Sequence, residues 1–221
     1  MMLPPRVSAI VFDCDGLLLD TESCWSRAEA ALFAEHGHEF GPTEKDMLIG
    51  RSVPAACAEL ARFFGRPDDS PLIEVDLLAR VAGELSDGVA PMPGARVLLD
   101  AVAGRVPVAV ATNSPRQLLS AALSTSGLGR YFEVSVTADD VAHAKPHPEP
   151  YLVAFERLGA RPSDGVALED SSTGVVAAQA AGAFVIAVPS QAGKALTADF
   201  VTDALTDPEI VAWGRTVREL E

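Results

Sequence analysis

Apolar, β-branched runs recur along the chain, at Val7 to Phe12, Val106 to Ala111, Phe132 to Val136, Val166 to Leu168 and Phe184 to Val188, with helical patterns between them. Near-continuous apolarity without alternation suits strands covered on both faces, which predicts a parallel sheet with helices as its cover. Ser114 and Pro115 read as the N-cap and first position of one such helix, which continues through Leu118, Leu119, Ala122 and Leu123. Ser172 or Thr173 caps the next, which runs through alanines to a stop at Gly182. Near the end, Asp207 and Pro208 start a helix whose docking face is Ile210, Trp213, Val217 and Leu220.

One interval breaks this rhythm. From Asp13 to Arg105 the chain is far longer than a single crossover needs, and its apolar positions are helical: Trp25, Ala28 and Leu32, then Leu60, Phe63 and Phe64, then Leu77, Val81 and Leu85. The fold class expected is α/β, a Rossmann-like parallel sheet core with an inserted helical cap. Residues 1–19 and 89–221 form the core, and residues 20–88 the cap. The connections are Gly16 to Thr21 and Asp87 to Gly94, the second rich enough in proline and glycine to suit either a hinge or an ordinary loop.

Chemistry enters at the ends of the apolar runs. Asp13 and Asp15 flank one residue directly after the first run, and Thr112, Lys145 and the pair Glu169 and Asp170 follow later ones. In an open parallel sheet, ligands bind beyond the carboxyl ends of the strands, so topology brings these residues together. A carboxylate nucleophile, a hydroxyl, an ammonium and an acid pair suffice for phosphoryl transfer through an aspartyl-phosphate. Two carboxylates ~4 Å apart at an effective dielectric of ~20 repel by about 4 kcal/mol, so the cluster needs cations. Lys145 and a divalent ion supply them, and all-oxygen ligands favour Mg2+ over zinc.

Composition narrows the setting. A chain of 221 residues, 48% hydrophobic, can fold without staples. Cys14, Cys24 and Cys57 cannot all pair and match no metal-ligand pattern, which fits a reduced, cytoplasmic setting, with Cys14 facing the core. No apolar run approaches the roughly 20 residues of a membrane span, and the N-terminus lacks a signal-peptide pattern. A formal charge of −14 disfavours nucleic acid and anionic membrane surfaces as partners. A small phosphorylated metabolite is the expected partner, with the protein a monomer or weak dimer.

The segment Asp13, Cys14, Asp15, Gly16, Leu17, Leu18, Leu19, Asp20, Thr21, Glu22 resembles the first motif of the haloacid dehalogenase superfamily, in its capped phosphatase and β-phosphoglucomutase-like branch. Ala111, Thr112, Asn113 resembles the second motif, Lys145, Pro146 the third, and Leu168 to Gly174 the fourth. The resemblance implies that Asp13 attacks phosphorus and that Asp15 acts as acid, then base. It has Thr112 and the backbone N–H of Asn113 hold a phosphoryl oxygen while Lys145 stabilises its charge. Mg2+ is then held by Asp13, Asp170 and the Asp15 carbonyl, with Glu169 acting through a coordinated water or by orienting Lys145.

The function expected is a Mg2+-dependent phosphatase of small organic phosphate monoesters, most plausibly sugar phosphates, with the cap selecting the leaving group. A hexose phosphomutase is the nearest alternative, set back because such relatives carry a histidine where this chain has Trp25. A phosphate- or partner-binding domain on the same scaffold is the non-enzymatic one. Trp25 faces either the substrate or the cap interior, and packing within the cap is the preferred reading. Arg51, beside Gly50, either reaches a phosphate or sugar hydroxyl or faces solvent. His143 and His147 read as surface residues, since a spacing of four suits a metal only on a helix and Pro146 and Pro148 argue against one.

Overall fold

The computed structural model describes residues 2–48, 51–190 and 195–220. Its first half contains β1 (Arg6–Val7), β2 (Ile10–Phe12), α1 (Thr21–Glu35), α2 (Pro42–Leu48), α3 (Val53–Phe63), α4 (Ser70–Asp87), α5 (Ala95–Val102) and β3 (Val108–Ala111). There follow α6 (Arg116–Ser126), β4 (Val134–Val136), α7 (Glu149–Arg157), β5 (Val166–Glu169), α8 (Ser172–Ala181), β6 (Phe184–Ala187), β7 (Phe200–Val201), α9 (Pro208–Thr216) and β8 (Arg218–Glu219).

Six strands pair in the order β4-β3-β2-β5-β6-β7, and every pairing is parallel. The α/β class read from the apolar runs is therefore the fold observed. Both faces of the sheet are covered, and side chains alternate between them. Ile10, Phe12, Val110, Leu168 and Ile186 share one core with Leu98, Leu99, Ile210 and Trp213 from α5 and α9. Val11, Ala109, Ala111, Ala167 and Ala187 face the other, where their small side chains let α7 and α8 bring in Tyr151, Phe155 and Val175.

The strand ends differ in detail from the sequence reading. The Val7 to Phe12 run is split, because the Ser8 N–H donates to the Asp164 carbonyl at 2.7 Å while β1 pairs with β8. β7 has only two residues and left no readable pattern. Ser171, not Ser172 or Thr173, caps α8 by accepting from the Gly174 N–H at 3.1 Å, and Gly182 ends it in the left-handed region as expected. Asp207 caps α9 as read, and Ile210, Trp213 and Val217 are buried, but Leu220 lies past the helix and is 44% exposed. Cys14, Cys24 and Cys57 are buried free thiols. No helix among the described residues is long and apolar enough to cross a membrane.

Between β2 and α5 the chain forms α1 to α4 around Leu32, Phe33, Leu60, Leu77, Val81 and Leu85, all buried. Phe33 meets Phe40, Phe63 and Phe64 at ring-centroid distances of 5.1–5.3 Å, although Phe63, read as inward-facing, is 42% exposed. The segments leading into and out of this helical group run side by side. Asp20 N–H donates to the Ala90 carbonyl and Met92 N–H to the Leu18 carbonyl, both at 2.9 Å. Helix α4 also meets α6, where the Thr125 hydroxyl donates to the Leu85 carbonyl at 2.9 Å.

Gly94 closes the returning segment at φ 88°, where a Cβ would stand 2.6 Å from the Leu205 carbonyl carbon. Left-handed strain and overpacking together predict that Gly94→Ala lowers stability by roughly 2 to 4 kcal/mol. Urea unfolding measures this, and an unchanged midpoint would contradict the packing described.

Candidate active site

The strand order reverses at β2, which has β3 on one side and β5 on the other, and this opens a crevice beyond the carboxyl ends of all three strands. Asp13 leaves β2 with its N–H bonded to the Leu168 carbonyl of β5, and Thr112 leaves β3 with its N–H bonded to Val136, each at 3.0 Å. Glu169 is the last residue of β5 and Asp170 the next. Lys145 comes from the loop between β4 and α7.

Lys145 is buried, and its ammonium lies 2.6 Å from Asp13 Oδ1 and 2.5 Å from Glu169 Oε1. The Tyr151 hydroxyl donates to the same Glu169 oxygen at 2.7 Å and accepts from Lys145 at 3.3 Å. The other Glu169 oxygen, Oε2, accepts from the N–H groups of Asp170 and Ser171 and from the Ser171 hydroxyl, at 3.1–3.3 Å. Both oxygens of Glu169 are thus engaged with protein donors. Asn113 fixes the lysine's main chain from both sides, accepting from the Lys145 N–H at 2.8 Å and donating to its carbonyl at 3.1 Å.

Two glycines make room for this arrangement. A Cβ on Gly174 would fall 1.7 Å from Glu169 Oε1, and one on Gly16, at φ 80°, would fall 2.3 Å from Asp170 Oδ2. Larger residues at either position would displace a carboxylate.

Asp15 is held differently. Its Oδ2 accepts from the Thr112 hydroxyl at 2.8 Å and the Ser114 hydroxyl at 2.9 Å. Ser114 is therefore no N-cap: α6 begins at Arg116 behind Pro115, with no side-chain cap. Beyond Asp15 lies a small recess walled by Trp25, Leu85, Leu118, Leu119 and Ala122. Trp25, read as internal cap packing, thus borders the site.

The electrostatics follow from one ammonium among several acids. Burial pushes the Asp13 carboxyl well above its ordinary range against the pull of Lys145, and Glu169, Asp170 and Asp15 raise it further. Burial and then Glu169 push Asp170 up to about 7, although Ser190 bonds to it. For Lys145, burial opposes the charge, but Asp13 and Glu169 outweigh it and the ammonium is retained. One carboxylate oxygen from each of Asp13, Glu169 and Asp170 lies within 4.8 Å of the other two. An all-oxygen group with excess negative charge fits a hard divalent cation such as Mg2+.

One sequence expectation ends up elsewhere. Arg51 is exposed, and its Nε donates to the Met47 carbonyl at 2.8 Å with Glu59 3.9 Å away, so its guanidinium is engaged within the helical group rather than with the acid cluster. Gly50 lies outside the described residues. His143 and His147 are exposed, as read, but their rings lie 4.6 Å apart in a loop with no helix, gathered by Glu149. Tyr151 and Ser114 were missed. The buried stripe Tyr151, Ala154 and Phe155 on α7 was the available signal, because a buried phenol needs a partner.

Residues 7–182 match the family described as Hydrolase: haloacid dehalogenase-like hydrolase. The chain is 34% identical over 178 residues to validoxylamine A 7'-phosphate phosphatase of Streptomyces hygroscopicus subsp. limoneus, spanning 80% of this chain and 83% of that one. It is 32% identical over 180 residues to fructose-1-phosphate phosphatase YqaB of Escherichia coli (strain K12), spanning 80% and 94%. The crystal structure of CbbY from Rhodobacter sphaeroides in complex with phosphate matches with a TM-score of 0.79 at 28% identity, over 91% of this chain and 96% of that one. Fold and site together define a hydrolase with its acids at the switch point of a parallel sheet. The chain belongs to the haloacid dehalogenase-like hydrolases.

Tyr151→Phe removes a hydrogen bond to a buried charge, which predicts a stability loss of about 1.5 to 3 kcal/mol in urea unfolding. Wild-type stability in that variant would show that the hydroxyl does not support Glu169.

Proposed function

We propose that the chain is a Mg2+-dependent phosphatase of small organic phosphate monoesters, with sugar phosphates as the preferred class, and that it works through an aspartyl-phosphate on Asp13. The carrying observation is the 2.6 Å contact between Lys145 and Asp13 Oδ1, which leaves the other carboxylate oxygen as the nucleophile. Among the described residues, no hydrogen bond is made to that Oδ2.

Each side chain then has a part. Asp13 Oδ2 forms a bond to phosphorus as the ester oxygen leaves. Asp15 gives that oxygen its proton, carried on Oδ1 because Oδ2 accepts from Thr112 and Ser114. In the second half Asp15 takes a proton from water as the water oxygen attacks phosphorus, which breaks the Asp13 bond and frees phosphate. Lys145 balances charge on the transferring group, and the Asn113 N–H and Thr112 line its path. Glu169, with both oxygens engaged, positions Lys145. Mg2+, held by Asp13, Asp170 and the Asp15 carbonyl, supplies charge neutralisation at the phosphoryl group when bound.

The division into a core of residues 1–19 and 89–221 and a cap of residues 20–88 belongs to this reading. Trp25 and Leu85 from the cap line one recess with Asp15, Leu118 and Leu119, which supports a leaving group in contact with the cap. The names of the two phosphatase relatives, one acting on fructose 1-phosphate and one on validoxylamine A 7'-phosphate, support phosphorylated sugars and sugar-like alcohols as substrates. A panel of sugar and hexitol phosphates, assayed for phosphate release with Mg2+ and with chelator, tests the class. Asp13→Asn is expected to lower kcat by on the order of 10³ or more while still binding phosphate ligands. Full activity in that variant removes the nucleophile assignment.

A pH effect follows from Asp170. Its folded value of about 7 lies above the ~3.9 of an unfolded aspartate, so the folded state holds the extra proton between those values. Stability in chelator therefore falls as pH rises from ~4 to ~7, and Mg2+ stabilises the chain more at about pH 8 than at about pH 5. Thermal unfolding at both pH values measures this; equal Mg2+ shifts would contradict it.

A further inference from the structure

Outside the acid cluster, one group of side chains has the composition of a different metal site. His143, His147 and Glu149 each present a ligand atom within 4.8 Å of the others. The loop that brings them together holds Pro146 and Pro148 and ends at the first residue of α7. Glu149 is fixed from behind, with Oε1 accepting from the Ala142 N–H at 3.0 Å and Oε2 from the His143 N–H at 2.9 Å. These two contacts fix the orientation of its carboxylate. Bonded partners behind a ligand are what a metal site needs in order to hold its geometry.

The spacing suits a small cation with nitrogen ligands. A tetrahedral ion with bonds of ~2.05 Å separates its ligand atoms by about 3.3 Å. His143 Nδ1 lies 2.9 Å and His147 Nδ1 3.8 Å from Glu149 Oε2, distances that bracket that edge. His147 Nδ1 accepts from the Glu149 N–H at 3.3 Å, so that nitrogen carries no proton, and a bound ion would take its lone pair in place of this long contact. Glu149 thus faces both imidazoles, whose rings lie 4.6 Å apart. Both histidine side chains are about half exposed or more, at 65% and 49%, which leaves an open path for the ion and room for water ligands.

We propose that His143, His147 and Glu149 form a second divalent-metal site, selective for borderline transition ions such as Zn2+ over Mg2+ because two of its ligands are imidazoles. The site is separate from the acid cluster. Its two histidines stand two residues on either side of Lys145, so a bound ion ties the lysine's loop to the start of α7.

Calorimetric titration of the full chain with Zn2+ in excess Mg2+ tests the assignment. Wild type is expected to take up one equivalent. The double variant His143→Ala/His147→Ala is expected to lose that uptake while keeping Mg2+-dependent phosphate release, which shows that it is folded. Asp170→Asn is expected to retain it. No uptake by wild type, undiminished uptake by the histidine variant, or loss of uptake in Asp170→Asn each overturns the proposal.

Discussion

The Lys145 ammonium, shared between Asp13 and Glu169 and shut away from water, is the contact around which the site is built. Burying such charges costs several kcal/mol per ion, and removing one partner of a buried pair typically costs about 3 to 5 kcal/mol. That cost explains why so much structure converges on a single nitrogen. Tyr151 and Ser171 satisfy the oxygens of Glu169, Asn113 grips the lysine's main chain, and Gly174 lacks a side chain because a carboxylate fills its place. Through this contact the ends of β2 and β5 and the loop before α7 are fixed relative to one another.

The same contact leaves the site short of positive charge. One ammonium cannot neutralise Asp13, Asp15, Glu169 and Asp170, and burial raises Asp13 and Asp170 together. A chain of net charge −14 would repel a phosphate ester at long range, so affinity has to be local, from the lysine and, in the proposed reading, a cation. Asp15 adds to this imbalance, yet its own side chain is held by neutral donors. Two hydroxyls hold one of its oxygens beside an apolar recess, which suits the proton-transfer role proposed for the other.

Much of this was legible in the chain itself. The apolar runs predicted a parallel sheet because strands buried on both faces need no alternation, and topology alone drew Asp13, Thr112, Lys145, Glu169 and Asp170 to one crevice. What escaped were roles set by three-dimensional neighbours. Ser114 before Pro115 has the local grammar of a cap, but Asp15, distant in sequence, competes for its hydroxyl and wins. Tyr151 looks like a core aromatic until Glu169 is placed behind it. Trp25 lines one recess with Asp15 because α1 packs on α4 and α4 on α6, contacts between segments far apart in the chain. The histidine pair was set aside for want of a helix, whereas a proline-bearing loop brings the rings together through Glu149.

The central claim is that Asp13, held by Lys145, takes the phosphoryl group covalently. Rapid acid quench during turnover of a labelled phosphate ester, followed by borohydride reduction and peptide mass spectrometry, reads that step directly. Label is expected on the acid-quenched protein, and reduction is expected to release it as phosphate and to convert Asp13 to homoserine. Steady turnover with no covalent phosphate at Asp13 would contradict it.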